Sequence, residues 1–243
     1  MSDTIAACEA TAHAQGLAPG LALALREAGP GAPPGGIAAL PADAVPAGAT
    51  VLPHRLAERE GVRFVRRQPG PSGTSGPSGP SGCPGLHAPP HPAGVHAGSG
   101  PAASSFGALL GAVRAGLARR LLDDAVAHLS GRTAGGELLS RKQLVLGTVA
   151  DVHTGLAAAV QLLRVAGGSA VAVADAHDRI TALDWEAAKL LGASGFLAEG
   201  PARAGYVGWL VASSWLAEPS GDAPAAPAAH PAAGWPQPEE ERP

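Results

Sequence analysis

Cys83, His87, His91 and His96 bring a thiol and three imidazoles, the donor groups of a transition-metal site, into one short stretch. Such ligands need a folded shell to hold them, and residues 69 to 103 are mostly Pro, Gly, Ser and Ala, with Gly70, Gly73, Gly76, Gly79, Gly82 and Gly85 in strict period. No metal site is expected there. The periodic run is too short for a collagen triple helix, so the stretch reads as an extended polyproline-like linker. His153 and His177 fall on helical patterns with no Cys or Ser nucleophile nearby and are expected as exposed helix residues. Cys8 and Cys83 give no disulfide framework and are expected as reduced surface thiols. Between two helical patterns lies the polar run Arg132 to Gln143, Arg-Thr-Ala-Gly-Gly-Glu-Leu-Leu-Ser-Arg-Lys-Gln. Taken by itself, Arg132 and Gln143 would do no more than cap and decorate a turn.

The elements around these residues follow from apolar spacing. Phe106, Leu109, Val113, Leu117, Leu121 and Ala125 recur every three or four residues, with Ser104 and Ser105 as candidate caps. Val145, Val149, Val152, Leu156, Ala159 and Leu163 form a second stripe, ended by Gly167-Gly168. A third helix is expected from Ala170 to Leu191, and Pro201 opens a fourth with Tyr206, Trp209 and Leu210 on one face. Helices joined by short turns pack antiparallel, so residues 104–218 are expected as an up-and-down four-helix bundle. The fold class is therefore mainly α, preceded by a small β-rich remnant and a Gly/Pro-rich linker.

Upstream, residues 36–68 hold short strand-like pieces at Ile37 to Leu40, Ala49 to Pro53 and Gly61 to Val65, separated by Pro and Gly. Residues 1–35 contain helical patterns from Asp3 to Gln15 and from Leu17 to Ala28, the second broken by Pro19-Gly20, with no evident role. Residues 219–243 are Pro/Ala-rich and are expected to be disordered.

Aromatics make up 3% of the chain while Ala is abundant, so the core must be built of thin Ala, Leu and Val layers, which favour closely spaced helices. Net charge is −3, and no Lys/Arg stripe is interleaved with aromatics, which argues against a nucleic-acid partner. The acidic N-terminus lacks a basic leader, and Asp151 and His153 interrupt the most apolar run, so no membrane span and a cytoplasmic location are expected.

The run from Arg132 to Gln143 resembles the "R-x-x-x-G, six residues, Q" turn of the acyl-CoA dehydrogenase family. Its surroundings agree in order and spacing. Ala115 to Asp123 resembles that family's "aGxAxxaLd" helix, Val149 to Val152 its "LADM", and Gly192 to Phe196 with Glu199 and Pro201 its "GGxGYxxExP". The resemblance covers about Phe106 to Glu218 and implies the family's C-terminal four-helix domain, truncated and degenerate. Leu40-Pro41-Ala42-Asp43 and the strands after it resemble the end of the family's middle β-domain.

The resemblance further implies FAD, shared with a partner subunit, and an acyl thioester oxidised at its CH–CH bond. Arg132 matches the arginine that grips the flavin pyrophosphate and Gln143 the glutamine beside it; a guanidinium fork suits two phosphate oxygens. Gly192 and Gly195 match close-approach glycines of a second turn. There Lys189 stands in place of a glutamine and Ala193 in place of a glycine. The family's base, a glutamate, takes the α-proton while flavin N5 accepts the β-hydride. Of its two family positions, one falls at Leu216, with Glu218 two residues on as the candidate acid, and the other near Ser105, where no acid stands.

Without a recognisable N-terminal helical domain the bundle cannot enclose an acyl chain and exclude water. The expected function is an acyl-CoA dehydrogenase-like flavoprotein subunit, inactive alone and dependent on an acyl-CoA dehydrogenase-like partner in a homo- or hetero-oligomer. The alternative is a non-catalytic helical-bundle interaction module or pseudoenzyme.

Overall fold

A computed structural model describes residues 1–29, 31–66 and 101–216. The cluster at Cys83, His87, His91 and His96, and Glu218, lie outside the described residues.

Two helices come first, α1 (Ser2–Gln15) and α2 (Leu17–Ala28). Pro19 does not break α2, because it sits in the first turn, where a missing N–H costs no hydrogen bond. Three strands follow, β1 (Ile37–Pro41), β2 (Thr50–Leu52) and β3 (Val62–Arg66), with a short helix α3 (Arg55–Arg59) between the last two. They form one antiparallel sheet in the order β1-β3-β2, with Ala39 opposite Phe64 and Leu52 also opposite Phe64 on its other side.

The bundle proper is α4 (Pro101–Ser130), α5 (Gln143–Ala166), α6 (Ala170–Leu190) and α7 (Arg203–Trp215), with a two-stranded hairpin, β4 (Thr133–Ala134) and β5 (Glu137–Leu138), between α4 and α5. Because α4 begins at Pro101, Ser104 and Ser105 lie inside its first two turns and not at the position before it. Neighbouring contacts fix the directions. Leu163 of α5 lies beside Gly111 of α4, and Gly167 beside Ala108, so those helices are antiparallel. Gly107 meets His177 and Arg114 meets Thr181, so α4 and α6 run parallel. Phe106 stacks edge-on against Trp215 with centroids 5.2 Å apart, placing the end of α7 beside the start of α4.

The apolar stripes read from α4 and α5 face the core: Phe106, Leu109, Val113, Leu117, Leu121 and Ala125 are all buried, as are Val152, Leu156, Ala159 and Leu163. What the stripe on α4 does not reveal is that the helix is covered on its other faces too, with Ala108, Leu110, Ala112, Ala115 and Ala118 buried. The cover comes from α1 and α2. Gly116 makes this possible, since a Cβ there would collide with the backbone carbonyl of Glu9 and stand 3.0 Å from the His13 nitrogen. Ile5, Cys8 and Ala12 of α1 are fully buried against α4. Cys8 is thus a core thiol and not a surface one, because α1 docks with that face inward.

On α7 the inward residues are Gly205, Val207, Gly208, Val211, Ala212 and Trp215. Tyr206 and Trp209 share the opposite, exposed side. Trp215 Nε1–H donates to the Ala39 carbonyl at 3.0 Å and so ties α7 to the sheet. α5 is long and apolar enough to cross a membrane by length and composition, and its Leu144, Leu146 and Val165 are exposed.

Candidate functional site

The α4–α5 connection is a closed turn built by its backbone. The Arg132 N–H donates to the Leu129 carbonyl at 3.3 Å, and the Leu139 N–H donates to the Arg132 carbonyl at 2.8 Å. The hairpin reverses at Gly135 and Gly136, whose φ values of +64° and +80° favour glycine. Arg132 therefore serves the turn through its main chain, while its exposed guanidinium donates from Nη1 to His128 Nε2 at 3.1 Å, one helical turn back. Gln143, the first residue of α5, is also exposed. Arg132 and Gln143 thus present side chains to solvent from the two sides of one turn, an arrangement that fits an anionic, phosphate-bearing group.

The α6–α7 connection lies at the same end of the bundle, since α4 and α6 are parallel. Lys189 is exposed and bonds Glu186 Oε1 through Nζ at 2.7 Å. Gly192 has φ +60° and nothing within 4 Å of where a Cβ would stand. Gly195 is different. It is buried, and a Cβ there would press on the Ala188 carbonyl, so its close approach is to α6 of its own chain. This second turn fits a phosphate less well than the first, since its cations are already paired, Lys189 with Glu186 and Arg203 with Glu60.

The two family positions for the catalytic base meet at the opposite end. A Cβ at Gly107, two residues after Ser105, would stand 3.0 Å from Leu216 Cδ2. Both positions are brought together by α4 and α7, and neither carries an acid.

A polar cluster unseen in the sequence lies midway along the bundle. Arg114 is 2% exposed and His177 5%, which corrects the expectation of an exposed His177; His153 is exposed as expected. Arg114 Nη1 donates to His177 Nδ1 at 2.9 Å and to the His177 carbonyl at 3.2 Å, and Nη2 donates to Thr181 Oγ1 at 2.7 Å. Since Nδ1 accepts, the imidazole is neutral and its Nε2–H donates to the Gly107 carbonyl at 3.0 Å. Burial, then the Arg114 charge, hold His177 down at about 3. Asp184 Oδ2 lies 3.9 Å from Arg114 Nη2, an ion pair beyond hydrogen-bonding distance. Burial pushes the Asp184 carboxyl up to about 7, against the opposing pull of Arg114. Arg114 Nε and Asp184 Oδ1 are buried without a hydrogen-bond partner.

Arg114, Thr181 and Asp184 form part of the wall of a cleft of about 600 Å³ between α4, α6 and α7. A helical histidine spaced four from a threonine was the one signal of this cluster in the sequence, and nothing local paired it with Arg114, 63 residues away.

Residues 108–198 match the family model described as "Acyl-CoA dehydrogenase, C-terminal domain". No curated protein matches the chain. The matched segment contains about the last three-quarters of α4, the hairpin, α5, α6 and most of the turn after it. Over residues 108–198, the chain is similar to the acyl-CoA dehydrogenase C-terminal domain family.

Proposed function

We propose that this chain is an acyl-CoA dehydrogenase-like subunit that completes the phosphate side of a flavin site in an oligomer and does not carry out dehydrogenation alone. The observation that supports the reading is the turn from Arg132 to Gln143, where both side chains project to solvent and neither is used to close the turn. When bound, FAD would supply the hydride acceptor. Arg132 would pair with pyrophosphate oxygens through its fork and Gln143 would add an amide hydrogen bond, with Lys189 as a further charge. Ser105 and Leu216, at the two base positions, cannot take an α-proton, so the base must come from a partner chain or be Glu218. A cytoplasmic location and an acyl thioester substrate belong to the same proposal.

Co-purification from the native cell tests it. The complex should be yellow, with a flavin spectrum and a second dehydrogenase-like chain. Arg132→Ala should reduce flavin affinity about tenfold to a hundredfold, the loss of a charge-assisted phosphate contact of roughly 1.5 to 3 kcal/mol, while the bundle stays folded. A colourless complex that still holds a specific enzyme would support the non-catalytic interaction module in its place.

A further inference from the structure

Trp185 of α6, Phe196 of the turn that follows it, and Tyr206 and Trp209 of α7 line the cleft of about 600 Å³ between α4, α6 and α7, together with Leu56 of α3. The rings pair, Trp185 with Phe196 at 5.2 Å between centroids and Tyr206 with Trp209 at 6.2 Å. Each of the four is about half exposed, so the cleft presents rings to water that nothing among the described residues covers. Burying them recovers that apolar area. Phe64, Phe106 and Trp215 are buried in the fold. The one Trp, Tyr or Phe left in the chain is Trp235, outside the described residues. The cleft shares Gly195 with the α6–α7 turn, but the close approach of Gly195 is to Ala188 of α6, and filling the cleft requires no flavin.

Trp235 stands in the run Gly234-Trp235-Pro236-Gln237-Pro238, and residues 217–243 hold no Leu, Ile, Val, Met, Phe or Tyr beside it. A stretch with a single large apolar side chain builds no core of its own, so that side chain is buried only on a surface made elsewhere. Pro-rich segments that favour the polyproline II form dock in grooves lined by aromatic rings, because little conformational freedom is left to lose. The other Pro-rich stretch, residues 67–100, carries no Trp, Tyr or Phe to anchor it. Reach favours the C-terminal segment too. Trp209 lies about 10 Å along α7 from Leu216, at roughly 1.5 Å per helical residue, while the chain from Leu216 to Trp235 extends up to about 60 Å. Such a tether holds the segment at an effective concentration on the order of millimolar, so a contact too weak for a free peptide suffices. Charge agrees with this placement: Glu239-Glu240-Glu241 follows Trp235, and Arg55, next to Leu56 of the cleft wall, is exposed and makes no ion pair among the described residues.

We propose that the chain's own segment from Pro231 to Pro238 docks in this cleft within the same molecule, with Trp235 as the anchor between the Trp185–Phe196 and Tyr206–Trp209 pairs and Pro236 and Pro238 against the rings. An indole supplies a large rigid contact at small entropic cost, which is why one such residue can carry the docking.

The test uses the full chain labelled with 5-fluorotryptophan and read by fluorine NMR in light and heavy water, each tryptophan being assigned by its own Trp→Phe variant. The solvent isotope shift of Trp235 should be less than half of its value in urea, and the same at every protein concentration. Trp235→Ala should move the Trp185 and Trp209 resonances and raise their isotope shifts, leave the buried Trp215 in place and keep the helix content of the parent. Trp209→Ala should return Trp235 to its urea value; if that variant does not fold, Trp235→Ala, which touches no described residue, carries the test. The proposal is overturned if Trp235 in the folded chain responds to solvent as it does in urea, or if Trp235→Ala leaves Trp185 and Trp209 unmoved. It is equally overturned if the shielding of Trp235 is lost on dilution, for the segment then docks on a second copy of the chain.

Discussion

Arg114 Nη1 and His177 Nδ1 meet at 2.9 Å in the middle of the bundle, and that bond makes an imidazole the acceptor for a buried guanidinium. It joins α4 to α6 where both are otherwise lined by Ala, Val and Leu. Polar pairing at one level of an apolar seam admits few alternative registers, because a one-turn slip leaves a buried charge unpaired.

Truncating Arg114 should therefore cost far more than an ordinary surface arginine. Arg114→Ala removes the donors to His177 and Thr181, strands the Asp184 carboxyl and opens a void, with an expected loss on the order of 3 to 5 kcal/mol. Urea unfolding followed by circular dichroism measures it. A loss under about 1 kcal/mol would show that water or rearranged partners replace the arginine.

Opposite shifts at His177 and Asp184 should hide each other in the pH dependence of stability. With His177 held at about 3 in the folded state and near 6.5 unfolded, the unfolded chain binds the extra proton between those values, so this residue makes stability fall as pH falls through the window. Asp184, raised to about 7 from 3.8, binds its proton first in the folded state, so it makes stability rise as pH falls from 7 toward 3.8. Between roughly pH 4 and 6.5 the two cancel. Asp184→Asn should expose the histidine slope, up to about 1.4 kcal/mol lost per pH unit on acidification relative to the parent chain. His177→Gln should tilt the profile the other way. Parallel profiles for both variants and the parent would refute the opposed shifts.

Gly116 should tolerate no side chain. A methyl there meets the Glu9 carbonyl and the His13 nitrogen of α1, so Gly116→Ala should cost about 1 to 3 kcal/mol despite alanine's better helix propensity. Hydrogen exchange should show α1 losing protection before α5 and α6. Unchanged protection in α1 would mean that the helix does not dock on this face.

Burial pushes the Cys8 thiol up to about 11, so at pH 8 almost none of it is thiolate. In a Cys83→Ser chain, Cys8 should stay unlabelled by a disulfide reagent until denaturant is added, and the labelling rate should then follow unfolding. Rapid labelling of the folded chain would place α1 away from the core.

Sequence alone determined the helices of the bundle and the three strands. Leu, Val and Phe recur at helical spacing on α4 and α5, and the strands stand between Pro and Gly punctuation, so local patterning carried the information. The Arg132–Gln143 turn was legible for the same reason, being a contiguous run whose residues hold their spacing wherever the chain folds. Tertiary structure decided the rest. In α1 alanines and polar residues alternate around the whole helix with no broad apolar stripe, so nothing local marked the Ile5–Cys8–Ala12 face as the one that docks or Gly116 as its seat. It could not show that Tyr206 and Trp209 face out while Gly205 and Gly208 face in, because small residues let α7 lie close to α4 and push the large rings to the open side. Nor could it pair Arg114 with His177, Thr181 and Asp184, since a charge is buried only where elements distant in sequence converge to satisfy it.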